Sequence, residues 1–250
     1  MIVWNRSPRI SPRWSSTDTP SEALVFNNCH FRISLATGHS IPFNSRLLVG
    51  IAGIPASGKS TLAMLITNKI NHLLAMDEAH RQSVAVSTPS STPLGKSRAI
   101  LVGLDGWHLT RAQLDALPDP KLAHDRRGSH WTFDGHGYVS FVRSLREPVS
   151  PSTSAISAPA FDHAVKDPTP HAVTILPEHR IVIIEGLYTF LSLPPWAEAG
   201  RLLDERWLIE LDPTAASDRL VRRHVLSGVA KNFEEARWRS AENDTPSLYF

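Results

Sequence analysis

Gly53-Ile54-Pro55-Ala56-Ser57-Gly58-Lys59-Ser60 fits the phosphate-binding loop pattern G-x-x-x-x-G-K-[ST] at every position. An apolar run, Leu47-Leu48-Val49-Gly50-Ile51-Ala52, leads into it, and a helix-compatible run, Thr61-Leu62-Ala63-Met64-Leu65-Ile66, follows. That order of strand, loop and helix is the context in which the pattern acts as a site, because the glycines let main-chain N–H groups turn toward a polyphosphate at a helix N-terminus. Lys59 then reaches the β- and γ-phosphates, and the Ser60 hydroxyl joins a Mg²⁺ shell. The candidate nucleotide-binding set is therefore Gly53, Ile54, Pro55, Ala56, Ser57, Gly58, Lys59, Ser60 and Thr61. The plainer alternative is a Gly-rich turn before an ordinary helix, which requires Gly, Lys and Ser to coincide there by chance.

The 250 residues suffice for one α/β domain with a sizeable core, and 42% hydrophobic with 20% charged residues is ordinary for a globular chain. A net charge of +2 gives no strong pull toward nucleic acid or an anionic membrane. No apolar stretch approaches the roughly 18–20 residues that span a bilayer. Cys29 is the single cysteine, so no intrachain disulfide is available. Residues 1–45 read as a separate N-terminal extension, rich in Ser, Pro, Thr and Asn and weak in periodicity, and expected to be poorly ordered. Arg6, Arg9 and Arg13 precede the first acid, Asp18, so a mitochondrial presequence is the alternative to a cytoplasmic protein with a disordered leader. Residues 46–250 are expected to form the catalytic domain.

Within that domain the expected strands are Arg46–Ala52, the apolar run Ala99–Leu104, Ala172–Leu176, Arg180–Ile184 and Arg206–Leu211. Expected helices are Lys59–Ala75, with Leu62, Leu65, Ile66, Ile70 and Leu73 at helical spacing, and Tyr138–Arg146, Thr214–Leu226 and Phe233–Glu242. Ser87–Pro93 and Glu147–Pro159 read as Ser/Pro-rich loops. Strands alternating with helices argue an α/β fold, a doubly wound and mostly parallel sheet.

Ligands of open α/β sheets bind beyond the carboxyl ends of the strands, so Asp105 and Glu185, each closing an apolar run, are expected to face the loop's crevice. A carboxylate there can accept a proton from an attacking hydroxyl or hold Mg²⁺. The plainer readings are strand-ending turns. Arg219, Arg222 and Arg223 share a helix face and could stabilise charge on a transferring phosphoryl group, or simply form a solvated basic face. The spacing of His108, His130, His136 and His163 matches no common metal-ligand pattern.

Together these stretches resemble the uridine kinase / phosphoribulokinase / pantothenate kinase family of P-loop small-molecule kinases, in its nucleoside-kinase-like branch. The likeness runs from about Arg46 to Pro246. It is carried by the loop, Leu104-Asp105-Gly106-Trp107-His108-Leu109, Arg126-Arg127-Gly128, Thr132-Phe133-Asp134, Phe161-Asp162-His163 with Asp167-Pro168, Glu185-Gly186-Leu187-Tyr188, Arg219-Leu220-Val221-Arg222-Arg223 and Asn243-Asp244-Thr245-Pro246. The resemblance implies a kinase that uses ATP and Mg²⁺ and transfers the γ-phosphoryl group to a hydroxyl of a small metabolite, such as a nucleoside, a sugar or a pantothenate-like molecule. It implies Asp105 as general base, with Lys59, Glu185 and Arg222 as further catalytic groups. Ser60 and Glu185 organise the metal. His108, Arg126, Arg127, Phe161, Asp162 and His163 line the acceptor pocket. Arg219, Arg222 and Arg223 belong to a helical lid over ATP, and Asn243-Asp244 lies near the nucleotide.

Family members usually continue past the Asn-Asp-x-Pro element into a final strand, whereas Ser247-Leu248-Tyr249-Phe250 closes this sequence. That departure keeps open an ATP-binding regulatory module or a degenerate kinase without turnover. A GTPase fits less well: the nearest string to the Asn-Lys-x-Asp guanine motif, Asn68-Lys69-Ile70-Asn71, lacks the Asp and lies in the first helix. The oligomeric state is left open, a homodimer included.

Overall fold

A computed structural model describes residues 30–32, 42, 44–84, 97–162, 164–226, 228 and 230–240. The expectations placed on Ser87–Pro93, His163, Asn243-Asp244 and all but a few residues of 1–45 lie outside these. The described chain falls into two compact units.

The larger unit holds the sheet up to Ala52 and the chain from Gly58 to Trp207. Its centre is three parallel strands: β2 (Leu47–Gly53), β3 (Ala99–Gly103) and β6 (Ile181–Glu185), with β6 in the middle. Leu48, Ile51, Val102, Val182, Ile183 and Ile184 are buried to the last atom, which explains why these strands read as unbroken apolar runs. Each such side chain contributes about 1.5–3 kcal/mol of burial free energy. On the other side of β2 lies β7 (Glu205–Glu210), whose approach is fixed by the Leu48 N–H donating to the Asp204 carboxylate at 2.7 Å.

Helix α1 (Lys59–Val84) is longer than the sequence implies. Of the apolar positions at helical spacing, Leu62, Ile66 and Ile70 are half-buried beside the buried Ala63 and Thr67, while Leu65 and Leu73 are 46% and 51% exposed. Asn71 then ties the helix to β3, accepting from the N–H groups of Arg98 and Ala99 and donating to the Ala99 carbonyl.

After β3 comes a 3-10 turn, Leu104–Trp107, and then two short helices that the sequence did not announce, α2 (Arg111–Asp115) and α3 (Pro120–Asp125). Both have side-chain caps: a Thr110–Gln113 capping box and Asp119 accepting from Leu122. Such caps are each worth about 1 kcal/mol. Helix α4 (Gly135–Leu145), capped by Asp134, buries Tyr138, Val139, Val142 and Leu145. Tyr138 and Trp196, on α5 (Trp196–Leu202), pack at 5.5 Å between ring centres, and the Tyr138 hydroxyl donates to the Thr189 carbonyl.

Beside this layer stands a separate antiparallel hairpin, β4 (Ile156–Asp162) with β5 (Asp167–Ile175). Glu147–Pro159 is therefore not all loop: its last four residues lie in β4, and Ile156, Ser157 and Ala158 pair with β5. A register shift between Ala158 and Ala160 absorbs Pro159, which has no N–H to give the ladder.

The smaller unit contains Gly53–Ser57, β1 (His30–Arg32) and the chain from Leu208 on. Here β1 pairs antiparallel with the end of β7, from His30 opposite Glu210 to Arg32 opposite Leu208. Helices α6 (Pro213–Leu226) and α7 (Phe233–Arg239) pack around Val221, Ala230 and Ala236. The sheet is thus mostly parallel with flanking helices, an α/β fold.

Candidate active site

Register brings the chemistry of the larger unit together. Glu185, the last residue of β6, lies opposite Ile51 on β2 and Gly103 on β3. A Cβ placed on Gly103 would sit 3.7 Å from the Glu185 Oε1, so the carboxylate lies directly against the end of β3. Two residues beyond Gly103 stands Asp105, exposed on the 3-10 turn. The Ser60 hydroxyl, at the start of α1, donates to the Glu185 Oε2 at 3.1 Å. Burial pushes the Glu185 carboxyl above its ordinary value. The neighbouring Asp105 charge pushes the same way, while the Lys59 ammonium and the Ser60 bond oppose it. Lys59, Ser60, Asp105 and Glu185 therefore share one electrostatic neighbourhood.

The turns that present these groups leave no room for side chains. A Cβ on Gly186 would lie 2.3 Å from the Leu104 Cβ. One on Gly106 would lie 2.3 Å from the Pro159 carbonyl oxygen, so β4 presses its backbone onto the residue next to Asp105.

The loop itself has the conformation its pattern demands. Gly58 has φ 88°, and Ala56 has φ 61°, a left-handed conformation rare outside glycine. Alternating backbone of this kind turns successive N–H groups inward. In the smaller unit, the Ser57 N–H donates to the Ile54 carbonyl, and a Cβ on Gly53 would meet Ser57 Oγ at 2.7 Å. In the larger unit α1 starts with Leu62 donating to the Gly58 carbonyl.

Three of the expected acceptor residues, His108, Arg127 and Phe161, fall in one cluster near Asp105. The His108 ring packs on Phe133 at 3.9 Å and on Phe161 at 4.9 Å. Its Nδ1–H donates to the Asp105 carbonyl at 2.8 Å, which makes Nε2 the lone-pair nitrogen in the neutral ring. The Arg127 guanidinium lies 5.4 Å from the centre of the Phe161 ring. It also donates to the carbonyls of Leu109 and Lys166 and to Asp167 Oδ1, at 2.8, 2.6 and 2.9 Å. Asp162 Oδ1 accepts from the N–H groups of Ala164 and Val165, and so shapes the turn of the hairpin. Arg126, half-buried, caps α3, its N–H donating to the Leu122 carbonyl.

Arg219, Arg222 and Arg223 lie on α6 in the smaller unit, Arg219 half-buried and the other two exposed. Phe133, Arg111 and Asp167 are site neighbours that the sequence did not single out by role. The Asp-Pro pair at 167 and 168 was the available signal, since an acid opening a strand beside proline has a stiff backbone to act from.

No protein-family model matches the sequence. Curated relatives do. The chain is 46% identical over 141 residues to the ATP-dependent kinase-like protein notR' of Aspergillus versicolor, covering 56% of this chain and 82% of that protein. It is 32% identical over 205 residues to a Schizosaccharomyces pombe protein provisionally named a uridine kinase, covering 82% and 77% of the two. The chain belongs to the uridine kinase-like family of P-loop kinases. The fold agrees: the crystal structure of YFH7 from Saccharomyces cerevisiae, provisionally described as a P-loop kinase with a circular permutation, superposes with a TM-score of 0.69 at 25% identity, over 82% of this chain and 88% of that one. A Silicibacter sp. TM1040 protein provisionally described as a fructose transport system kinase superposes with a TM-score of 0.65 at 27% identity, over 84% and 86%. In this uridine kinase-like chain the Gly-rich loop follows β2, Glu185 closes β6, and Asp105 stands two residues beyond β3.

Proposed function

We propose that this protein is an ATP-dependent kinase, its domain spanning residues 46–250, that transfers the γ-phosphoryl group to a hydroxyl of a small metabolite. The observation that carries this is the meeting of an ammonium, a hydroxyl and two carboxylates, on Lys59, Ser60, Asp105 and Glu185, where β2, β3 and β6 end.

The donor set fits Mg²⁺ bound through a nucleotide. Among the described residues no cluster of three His, Cys, Asp or Glu could hold a metal unaided. Mg²⁺ suits such a site, since it keeps several waters and takes one or two protein oxygens beside substrate phosphates. Ser60 Oγ and Glu185 Oε2, already 3.1 Å apart, would supply them. The metal, when bound, neutralises phosphate charge. The chain's own groups do the rest. Backbone N–H groups of the Gly53–Thr61 loop hold the polyphosphate. Lys59 stabilises charge on the phosphoryl oxygens. Asp105, exposed at the rim, accepts the proton of the acceptor hydroxyl as its oxygen attacks phosphorus in line. The arginines of α6 are assigned to the nucleotide phosphates by family resemblance.

Incubation with ATP, Mg²⁺ and, in turn, uridine, D-fructose and pantothenate tests the proposal. A phosphorylated hydroxyl product supports it. A protein that shows no affinity for Mg²⁺-ATP, or that consumes ATP only by releasing phosphate to water, overturns it.

A further inference from the structure

The Asp167 carboxylate, at the first residue of β5, accepts three hydrogen bonds. Oδ1 takes the Arg111 backbone N–H and Arg127 Nη2, both at 2.9 Å, and Oδ2 takes Arg111 Nε at 3.0 Å. This is not a loose surface pair. The Arg127 and Asp167 side chains are 17% and 23% exposed, against 86% and 55% for the Lys121–Asp125 pair on α3. Burial favours the neutral Asp167 carboxyl, but the Arg111 and Arg127 donors outweigh it and hold the group below its ordinary value.

The bonds join three parts of the chain. Arg111 opens α2, Arg127 follows α3, and Asp167 belongs to the hairpin. Arg127 extends the junction by donating to Leu109 O on the chain leaving the 3-10 turn, and to Lys166 O beside Asp167. Its guanidinium carbon lies over the Phe161 ring, Phe161 packs on His108, and His108 Nδ1–H donates to the Asp105 carbonyl. An unbroken series of contacts thus links Asp167 to the backbone of the proposed general base.

We propose that Asp167 is a positioning residue that fixes the β4–β5 hairpin against the 3-10 turn, and so sets the distance between the acceptor wall at Phe161 and His108 and the Asp105 carboxylate. The inference rests on the kinase reading for its functional half, and on geometry alone for its structural half. A planar, delocalised cation satisfies three acceptors that an ammonium cannot reach at once, so Arg127→Lys imitates part of the Asp167→Ala defect while keeping the charge.

The test compares full-length wild type, Asp167→Ala, Asp167→Asn and Arg127→Lys by hydrogen exchange, by Mg²⁺-ATP binding and by kinetics with whichever of uridine, D-fructose and pantothenate the wild type phosphorylates. In Asp167→Ala, amide exchange across 156–162 and 167–175 should rise about tenfold or more, while β2 and β6 amides keep wild-type protection. Mg²⁺-ATP affinity should stay within about twofold, and the acceptor KM should rise about tenfold with kcat changed less than about threefold. Asp167→Asn and Arg127→Lys should fall between. Unchanged hairpin exchange overturns the proposal. So does a loss of Mg²⁺-ATP affinity parallel to the exchange, which would mark general unfolding. If the wild type binds Mg²⁺-ATP and phosphorylates none of the three, that failure belongs to the kinase reading, and the exchange comparison alone decides the clamp.

Discussion

The ends of β2, β3 and β6 and the β4–β5 hairpin flank the same aspartate but are held in opposite ways. Glu185 is placed by main-chain ladders on both sides and by fully buried Val182, Ile183 and Ile184 beneath it. Among the described residues the hairpin pairs only with itself; its main chain touches the neighbouring turn at Pro159 and Gly106, and the ties across that contact run through Asp167, Arg111, Arg127 and the Phe161–His108 stack. On the proposed reading, the groups assigned to the phosphate stand where main-chain ladders hold them, and the groups assigned to the acceptor stand where side-chain changes can act.

Substitutions can break that contrast in graded steps. Asp105→Asn should give the largest effect, a loss of phosphoryl transfer of about 10²–10⁴-fold with Mg²⁺-ATP affinity within about threefold. Isothermal titration beside a product assay checks both halves, and transfer at the wild-type rate removes the base assignment. Lys59→Ala should cost about 10²–10³-fold in transfer and weaken nucleotide binding as well, which separates it from Asp105→Asn. Gly106→Ala pushes a methyl into the Pro159 backbone, where no side chain can swing aside. Overpacking of this kind costs about 1–3 kcal/mol. Urea denaturation should show it, and the kinetic damage should fall on acceptor KM rather than on Mg²⁺-ATP affinity.

The smallest effect is one of pH. Because burial raises the Glu185 carboxyl, the native protein keeps that proton over a range where the unfolded chain has released it. The native state therefore binds more protons, and stability falls as pH rises from the ordinary Glu value through the raised one. Glu185→Gln should flatten this part of the pH–stability curve and raise the Tm of the ligand-free protein at neutral pH, while impairing transfer. A slope of the same size in the variant would show that Glu185 is not its source.

Much of the ladder-held part was legible in the sequence because its signals are local. The loop pattern needs eight adjacent residues, and the runs at Leu47–Gly53, Ala99–Gly103 and Ile181–Glu185 declare buried parallel strands without reference to anything distant. The hairpin was half hidden. Its first strand sits in Ser/Pro-rich sequence and carries Pro159, so it reads as loop until a bulge is allowed for. The inward face of α1 was legible in part. Leu62, Ile66 and Ile70 keep helical spacing and are half-buried, but Leu65 and Leu73 keep it and are exposed, and the buried Ala63 and Thr67 are too small or too polar to stand out in an apolar pattern. The part played by Asp167 depends on partners 40 and 56 residues away, which the Asp-Pro pair does not point to.

The contact between Gly106 and Pro159 also limits how such a protein can diversify. A hydrogen atom is the largest group tolerated beside the proposed base, so on the proposed reading a lineage changing its acceptor must leave that spot bare and vary the surrounding residues instead. Differences among related enzymes should then gather around Phe161 and the turn that follows it, and comparing those few positions offers the cheapest first guide to what each enzyme accepts.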